Sequence, residues 1–243
     1  MSGEPGYHNR GIAIGAKIRG LLCALRPSTY DEISPKIGYW IEYALTKQSM
    51  DASDLAERLS PLAWNKRGPK ANGTIAKFLK EFRDAPQRSE EARSCIDGLC
   101  SRVLRWFAAA SAEDPIPWNG FGAGKVARQG GEGFVNAASF VGHLIERGML
   151  DHELLRLHLI KPLITHHYTD GDNVEHKSFR AAAIHQLLVA AGNILLQGLI
   201  EPEDVQVCLE TLDSQIPLGG VVGLNAGKLT VRRATRSVSH IVI

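Results

Sequence analysis

The stretch FVNAASFVGHLIERGMLDHELLRLHLIKPL, residues 134–163, decides the fold that we expect for this chain. Its first half carries an apolar stripe at helical spacing, with the polar residues off the stripe. The stripe consists of Phe134, Ala137, Ala138, Val141, Leu144 and Ile145, and the residues off it are Asn136, Ser139, His143 and Glu146. Gly148 predicts the end of this helix, because glycine commonly follows a helix C-terminus.

A second helix is predicted directly after the first. Asp151 is a suitable N-cap, and Leu154, Leu155, Leu159 and Leu163 form the apolar stripe. Two helices joined by a few residues pack antiparallel and share their apolar faces. The stretch therefore predicts a helical hairpin.

The N-terminal part predicts three more helices. An apolar stripe from Ile14 to Leu25 gives the first, which stops before Pro27. Ser34 followed by Pro35 predicts the start of the second, because proline is favourable at the first helical position. Its expected core residues are Ile37, Trp40, Ile41, Ala44 and Leu45. Asp51 predicts the N-cap of a third helix whose expected core residues are Leu55, Ala56, Leu59 and Leu62.

The middle of the chain predicts a basic turn, WNKRGPKANG at residues 64–73, and then two helices. One helix runs from Ile75 to Phe82, and a longer one turns Ala92, Ile96, Leu99, Val103, Leu104 and Phe107 inward. Residues 114–133, which are rich in glycine and proline, predict a flexible surface loop.

The C-terminal part predicts a helix, a shorter helix at residues 203–212, and an irregular tail from Pro217. The expected core residues of the first are Ile184, Leu187, Leu188, Ala191, Leu195 and Gly198. We therefore divide the chain into a flexible N-terminus (1–10), a helical-repeat domain (11–213, with a loop insertion at 112–133) and an irregular C-terminal tail (214–243).

The recurrence of helix pairs at about 35 to 45 residues is typical of an α-solenoid of the HEAT type. The predicted fold class is all-α: an α-α superhelix, a HEAT/ARM-like solenoid of about four to five antiparallel helix pairs. Each pair cannot bury its apolar face alone, so neighbouring pairs stack on one continuous core. An irregular helical bundle is the alternative.

Composition limits the class of protein. The 243 residues are 44% hydrophobic and 22% charged, which is typical of a globular protein, and the net charge of +2 requires no polyanionic partner. We find no apolar run of the ~18 residues needed to span a bilayer, and no signal peptide at the N-terminus. The four cysteines lack C-x-x-C spacing. We expect a monomer with reduced thiols, located in the cytoplasm and not in a membrane.

Three sequence features resemble nucleotide-binding, catalytic or metal-binding motifs, but none of the three is complete. GFGAGK, residues 120–125, is not a phosphate loop, because Asn119 and Val126 stand where glycine and a hydroxyl residue are required. His152 and Glu153 begin a zinc-protease motif, but Arg156 occupies the place of its second histidine. The histidines of one polar loop suit a metal, but no cysteine or carboxylate at ligand spacing completes the set, so a solvated loop is the better interpretation: they are His166, His167 and His176. We predict no enzyme, metal or cofactor.

A basic cluster precedes and enters the helix that starts near Ile75. Its members are Lys66, Arg67, Lys70, Lys77, Lys80 and Arg83. One interpretation is a solvated face beside acidic neighbours. The other is a patch that neutralises RNA phosphates without reading bases, so that binding would be weak and would fall with salt.

Three segments resemble the middle domain of eukaryotic translation initiation factor 4G. They are FVGHLIERGMLDHELLRLHLIKPLI at residues 140–164, AKIRGLLCALRPSTYDEISPKI at 16–37 and AAAIHQLLVAAGNIL at 181–195, in the family's order. The resemblance covers about Gly15 to Gly198. It implies a crescent-shaped HEAT stack without catalytic activity that binds a DEAD-box RNA helicase of the initiation factor 4A type, and also RNA, in translation initiation.

The resemblance assigns roles to particular residues. The structural core that matches the family motif comprises Leu22, Leu25, Tyr30, Phe140, Leu144 and Met149. Direct helicase contacts are expected from their exposed neighbours, namely Lys17, Arg26, Glu146, Arg147 and Lys161. Pro162 and the tail after Pro217 depart from the family pattern. The alternative function is therefore a diverged HEAT module of RNA processing or decay that binds protein or RNA without activating a helicase.

Overall fold

The computed structural model describes residues 5–64, 69–112 and 130–150, together with the helical positions Ala183, Gln186, Leu187, Val189, Ala190, Ala191 and Ile194. Within these residues every regular element is helical, which confirms the all-α class for the described part of the chain. The chain divides into two compact units, Met1–Val103 and Leu104–Ile243, which we call the first and second units.

The helices follow one another with short connections. They are α1 (Pro5–Ala24), α2 (Tyr30–Thr46), α3 (Ala52–Leu59), α4 (Pro69–Asp84), α5 (Glu90–Ala112) and α6 (Gly130–Glu146). Two 3-10 segments, Pro27–Thr29 and Ser60–Trp64, precede α2 and follow α3. The boundary between the two units falls within α5.

The first unit is built on the hairpin of α1 and α2. The apolar stripe of α1 is buried at Ile18, Leu22 and Leu25, and α1 packs on both α2 and α3. The guanidinium of Arg26 donates to the carbonyl oxygens of Cys23 (2.7 Å) and Leu25 (2.8 Å). These bonds occupy carbonyls that a helix C-terminus leaves without an intrahelical partner, so Arg26 helps to end α1.

Two helices of the first unit begin earlier in the sequence than the predicted pattern. α1 begins at Pro5, inside the segment predicted to be flexible, since proline suits a helix start. α2 begins at Tyr30, so Pro35 lies inside the helix rather than at its start. The 3-10 turn Pro27–Thr29 runs directly into α2, and Asp31 and Glu32 place negative charge in its first turn, which favours a start there.

Two further boundaries differ for similar reasons. α4 begins at Pro69, so its first turn includes residues that we predicted to form part of the basic turn. α6 begins at Gly130, inside the predicted loop, although each glycine in a helix costs about 1 kcal/mol relative to alanine. Both helices therefore begin earlier in the sequence than local propensity predicts.

The predictions for α3 and α5 are confirmed. The Asp51 carboxylate accepts hydrogen bonds from the backbone N–H groups of Ser53 (2.7 Å) and Asp54 (3.3 Å), as an N-cap does. The predicted core residues of both helices are buried, although Leu62 lies in the following 3-10 segment. α5 approaches α3 closely, because a Cβ atom on Gly98 would lie 3.3 Å from the Cβ of Ala56.

In the second unit, α6 buries the whole predicted stripe from Phe134 to Ile145. Asn136 and Ser139, which fall off that stripe, are buried as well, so α6 is covered on more than one side. The ring of Phe134 stacks on that of Phe107 of α5, with 4.8 Å between centroids and 21° between planes.

The end of α6 has the predicted glycine termination. Gly148 has φ +64°, its N–H donates to the Ile145 carbonyl (2.9 Å), and the Met149 N–H donates to the Leu144 carbonyl (3.0 Å). This pair of bonds is the Schellman motif. The predicted partner helix, residues 151–163, lies outside the described residues, as do Pro162, the two short glycine and histidine motifs, the loop histidines and the tail.

Beyond residue 150 the structure describes part of the helix predicted around Leu187. Ala183, Leu187 and Ala191, which are spaced four residues apart, are buried, whereas Val189 is 52% exposed. A Cβ atom on Gly142 of α6 would lie 2.8 Å from the Cβ of Ala190 and 3.4 Å from the Leu187 backbone. The two helices therefore cross at Gly142, where the absence of a side chain permits the approach.

Candidate partner-binding surface

The solvent side of α2 carries aromatic side chains. Its buried side is formed by Ile37, Gly38, Ile41, Ala44 and Leu45. Tyr39 and Tyr43 are four residues apart, so they lie on one face, and at 100° per residue that face is away from the buried stripe. Tyr39 is 60% exposed and Tyr43 is half-buried. A large exposed aromatic side chain on a helix surface is a common feature of protein-binding sites.

Trp40 joins the two tyrosines in a compact ring cluster. Its centroid lies 5.5 Å from that of Tyr39 (84° between planes) and 5.3 Å from that of Tyr43 (72°). The two tyrosine rings are stacked at 5.9 Å and 26°, and the Gln48 amide donates to the Tyr43 hydroxyl (3.1 Å). We expected Trp40 to lie in the core, but it is half-buried, because it lies about 100° around α2 from the centre of the buried side. Lys17 of α1 covers one face of its ring.

Lys17, one of the predicted partner-binding residues, is part of this surface. Its Nζ lies 3.6 Å from the centroid of the Trp40 ring, a distance at which the ammonium is attracted to the ring face. Lys17 is exposed on α1, and Trp40 belongs to α2. The hairpin thus places a cation of α1 beside the aromatic cluster of α2, which is distant from it in sequence.

The other predicted helicase contacts have different environments. Arg26 is exposed, but it is engaged with the carbonyls at the end of α1. Glu146 is exposed at the end of α6 and lies 3.0 Å from His143 Nδ1, and Arg147 beside it is half-buried. Lys17 and Arg26 belong to the first unit, and Glu146 and Arg147 to the second. Lys161 lies outside the described residues.

The residues that match the family's core motif are mostly interior. Leu22, Leu25, Phe140 and Leu144 are completely buried, and Met149 is 6% exposed. Tyr30 is half-buried instead: its hydroxyl donates to the Glu81 carboxylate, and the Nζ of Lys77 lies 4.5 Å from its ring centroid.

The basic cluster is largely neutralised where the structure describes it. Lys66 and Arg67 lie outside the described residues, and Lys70 is exposed. The other three pair with acidic residues: Lys77 with Glu81 (3.7 Å), Lys80 with Asp84 (3.2 Å), and Arg83 with Asp84 (2.8 Å) and Asp97 (3.4 Å).

The pKa of the Asp84 carboxyl shows how close these charges are. A hydrogen bond from Arg83 lowers that pKa, with smaller contributions from Lys80, so the carboxylate stays charged beside the cations. These acidic neighbours reduce the positive potential that a phosphate would meet. The charges of α4 therefore favour the interpretation of a solvated face over that of a phosphate-binding patch.

Two buried cysteines lie on α5. Burial raises the pKa of both Cys95 and Cys100 to about 12, with a further contribution to Cys95 from Asp51 and to Cys100 from Asp97. The thiolate is the reactive form, so these two thiols are inert at neutral pH. Among the residues that the structure describes, no group of three His, Cys, Asp or Glu side chains is placed to hold a metal ion.

We expect Cys95 and Cys100 to resist alkylation in the folded protein. At pH 8, a pKa of about 12 leaves about one thiol in ten thousand as thiolate. Native protein should be treated with iodoacetamide at pH 8 and its cysteine peptides quantified by mass spectrometry. Both sites should stay unmodified while half-buried Cys23 reacts, and all three should react in urea. Rapid native labelling of Cys95 would contradict the burial of α5.

The described part of the chain is thus helical throughout its regular elements and has a candidate protein-binding face on its N-terminal hairpin. Comparison with protein-family models and with curated proteins finds no match for the chain. Within the described residues, none of the helices has the length and apolar character needed to cross a membrane.

Sequence reasoning missed the aromatic face of α2, although a signal was present. Tyr39 and Tyr43 stand at helical spacing on the side opposite Ile37 and Ile41, and their separation predicts neighbouring rings. The position of Lys17 over Trp40 could not be derived in this way, because it depends on how α1 and α2 pack.

Proposed function

We propose that this protein is a non-enzymatic helical-repeat scaffold that binds a DEAD-box RNA helicase of the initiation factor 4A type, and RNA weakly, in translation initiation. The partner comes from the resemblance of three segments to the middle domain of initiation factor 4G. In this proposal the described helices belong to a HEAT-type superhelix, and the protein acts as a monomer in the cytoplasm.

The observation that carries the proposal is the surface of the α1–α2 hairpin. This hairpin includes one of the segments that resemble the family, and its motif residues Leu22 and Leu25 are buried. Directly above that core, exposed Lys17 lies against Trp40 beside a 60% exposed Tyr39. Tyrosine and tryptophan are enriched among residues that dominate binding energy, so the surface suits a protein partner.

A scaffold without catalytic groups can still raise the rate of an enzyme that it binds. The proposed helicase has two lobes that open and close, and a ligand shifts such an equilibrium only by binding the two states unequally. A tenfold preference for the closed state requires about 1.4 kcal/mol of differential binding. A few contacts at the hairpin surface are enough for this.

The proposal is tested by a pull-down with a purified DEAD-box initiation helicase, with and without an ATP analogue and RNA, followed by an ATPase assay. We expect binding and raised ATPase activity. The charge reversals Lys17→Glu and Glu146→Lys should each weaken binding about tenfold, since both side chains are exposed and charged. Arg105→Glu is the matched control, because Arg105 is exposed on α5 and is not a predicted contact.

Absence of binding by a folded helical sample, at protein concentrations up to about 50 μM, would overturn the helicase assignment. Equal loss of binding with Arg105→Glu would show a general charge effect and not a defined surface.

The alternative is a helical module that binds another protein or RNA without activating a helicase. The ion pairs of α4 favour a protein partner over RNA, because the lysines at 77 and 80 already have carboxylates within 4 Å. Binding of the helicase without any change in its ATPase activity would favour this alternative.

A further inference from the structure

We propose that the aromatic face of α2 binds an acidic, proline-containing segment of a partner protein. This face is formed by Tyr39, Trp40 and Tyr43, with Lys36 and Lys47 at its two ends and Lys17 at its side. The proposal does not depend on the identity of the helicase, and it concerns the chemistry of this surface alone.

Four α2 positions and Lys47, the C-cap residue directly after the helix, share one side of it. At 100° per residue, Lys36, Tyr39, Trp40, Tyr43 and Lys47 fall within an arc of about 100°. Most solvent faces of helices carry charged and polar residues, whereas this one places aromatic rings between its lysines. An apolar centre with a charged rim is the usual arrangement of a protein-binding site.

The rim of this face is positive. Lys17 and Lys47 are exposed, and among the described residues neither forms an ion pair. Lys36 pairs with Glu32 at 2.8 Å, but both side chains are more than half exposed, and such surface pairs are weak and exchange readily. Glu42, which precedes Tyr43 in α2, is engaged by Arg88 at 3.6 Å. Charge complementarity therefore favours carboxylates in the partner.

The dimensions suit an extended chain. Lys47 is eleven positions after Lys36, which corresponds to about 16 Å along the helix axis. A polyproline II segment advances about 3.1 Å per residue, so about five residues cover that distance. Proline rings pack on tyrosine and tryptophan, and a segment already in this conformation loses little entropy on binding. Carboxylates at the two ends of the segment would then meet the two lysines.

The ring geometry favours a peptide over single-stranded RNA. Stacking of a base requires an open ring face. Lys17 covers one face of Trp40 at 3.6 Å, and the rings of Tyr39 and Tyr43 lie against each other at 5.9 Å. The ring edges and the outer face of Tyr39 remain available, which suits proline and aliphatic groups better than the stacking of successive bases.

The test is fluorescence anisotropy with a labelled peptide of about ten residues that alternates glutamate and proline. A glutamine–proline peptide of the same length and an oligouridylate serve as comparisons. We expect the acidic peptide to bind at least tenfold more tightly than either, with an affinity that falls as salt rises. Tyr39→Ala and Lys47→Glu should each weaken binding about tenfold, since both side chains are exposed and on the face.

Val189→Ala and Arg105→Glu are the matched controls, because they alter an exposed apolar residue and an exposed cation elsewhere. Circular dichroism checks that each variant is folded. Equal binding of both peptides, or no effect of Tyr39→Ala, would overturn the proposal. Tighter oligouridylate binding that Tyr39→Ala abolishes would also overturn it and assign the face to RNA. None of these results depends on whether a helicase binds.

Discussion

Replacing Phe134 with alanine should lower the free energy of unfolding by about 3–5 kcal/mol, the range for truncating a buried phenylalanine. Phe134 is completely buried in α6, and its ring stacks on that of Phe107 at 4.8 Å. The substitution would leave a cavity beside a second aromatic ring and would also remove the stacking contact. Since small domains are stable by only about 5–15 kcal/mol, the second unit should be close to unfolding.

Urea denaturation followed by circular dichroism measures this change. Phe134→Leu is the matched control, because leucine keeps most of the apolar volume and should cost less than about 1.5 kcal/mol. If Phe134→Ala were no more destabilising than Phe134→Leu, the ring would not be packed in the core as the structure has it.

Replacing Gly142 with valine should lower the free energy of unfolding by about 3 kcal/mol, the upper part of the range for overpacking a core. A Cβ atom at this position would lie only 2.8 Å from the Cβ of Ala190, and backbone atoms of Leu187 lie 3.4 Å away. Backbone atoms cannot move aside as a flexible side chain can. The helices would have to separate, and their buried contacts would weaken.

Replacement of Gly142 by alanine has two opposing effects on stability, one through helix propensity and one through overpacking. It should gain up to about 1 kcal/mol in helix propensity and lose about 1–3 kcal/mol through overpacking, so the net change should still be unfavourable. Gly20→Ala is the matched control: a Cβ atom added at Gly20 of α1 would meet no packing neighbour within 4 Å, so this variant should stabilise the protein. Thermal unfolding that shows a higher Tm for both alanine variants would contradict the close crossing at Gly142.

These two variants also bear on the proposed function. Gly142 lies in the 140–164 segment that resembles initiation factor 4G, Phe134 lies six residues before that segment, and both are interior positions. Destabilising substitutions at these two positions would abolish binding because the protein unfolds. The exposed residues Lys17 and Tyr39, by contrast, should change binding while leaving stability within about 0.5 kcal/mol. Measuring stability and binding together therefore distinguishes a contact residue from a supporting one.

The sequence by itself determined the helical class and most of the core of the described residues. The apolar stripes of α3, α5 and α6 recur at helical spacing, and a repeating stripe can be buried only if the chain is helical. Asp51 and Gly148 were also predictable, because a cap acts on backbone groups within a few residues of itself.

Tertiary structure decided what depends on residues distant in the chain. The neutralisation of Arg83 depends on Asp97 in the next helix, and the ammonium of Lys17 meets Trp40 only because α1 folds against α2. The periodicity of the sequence predicts which side of a helix is apolar. Packing between helices determines which surface groups come into contact, and therefore which of them form a binding face.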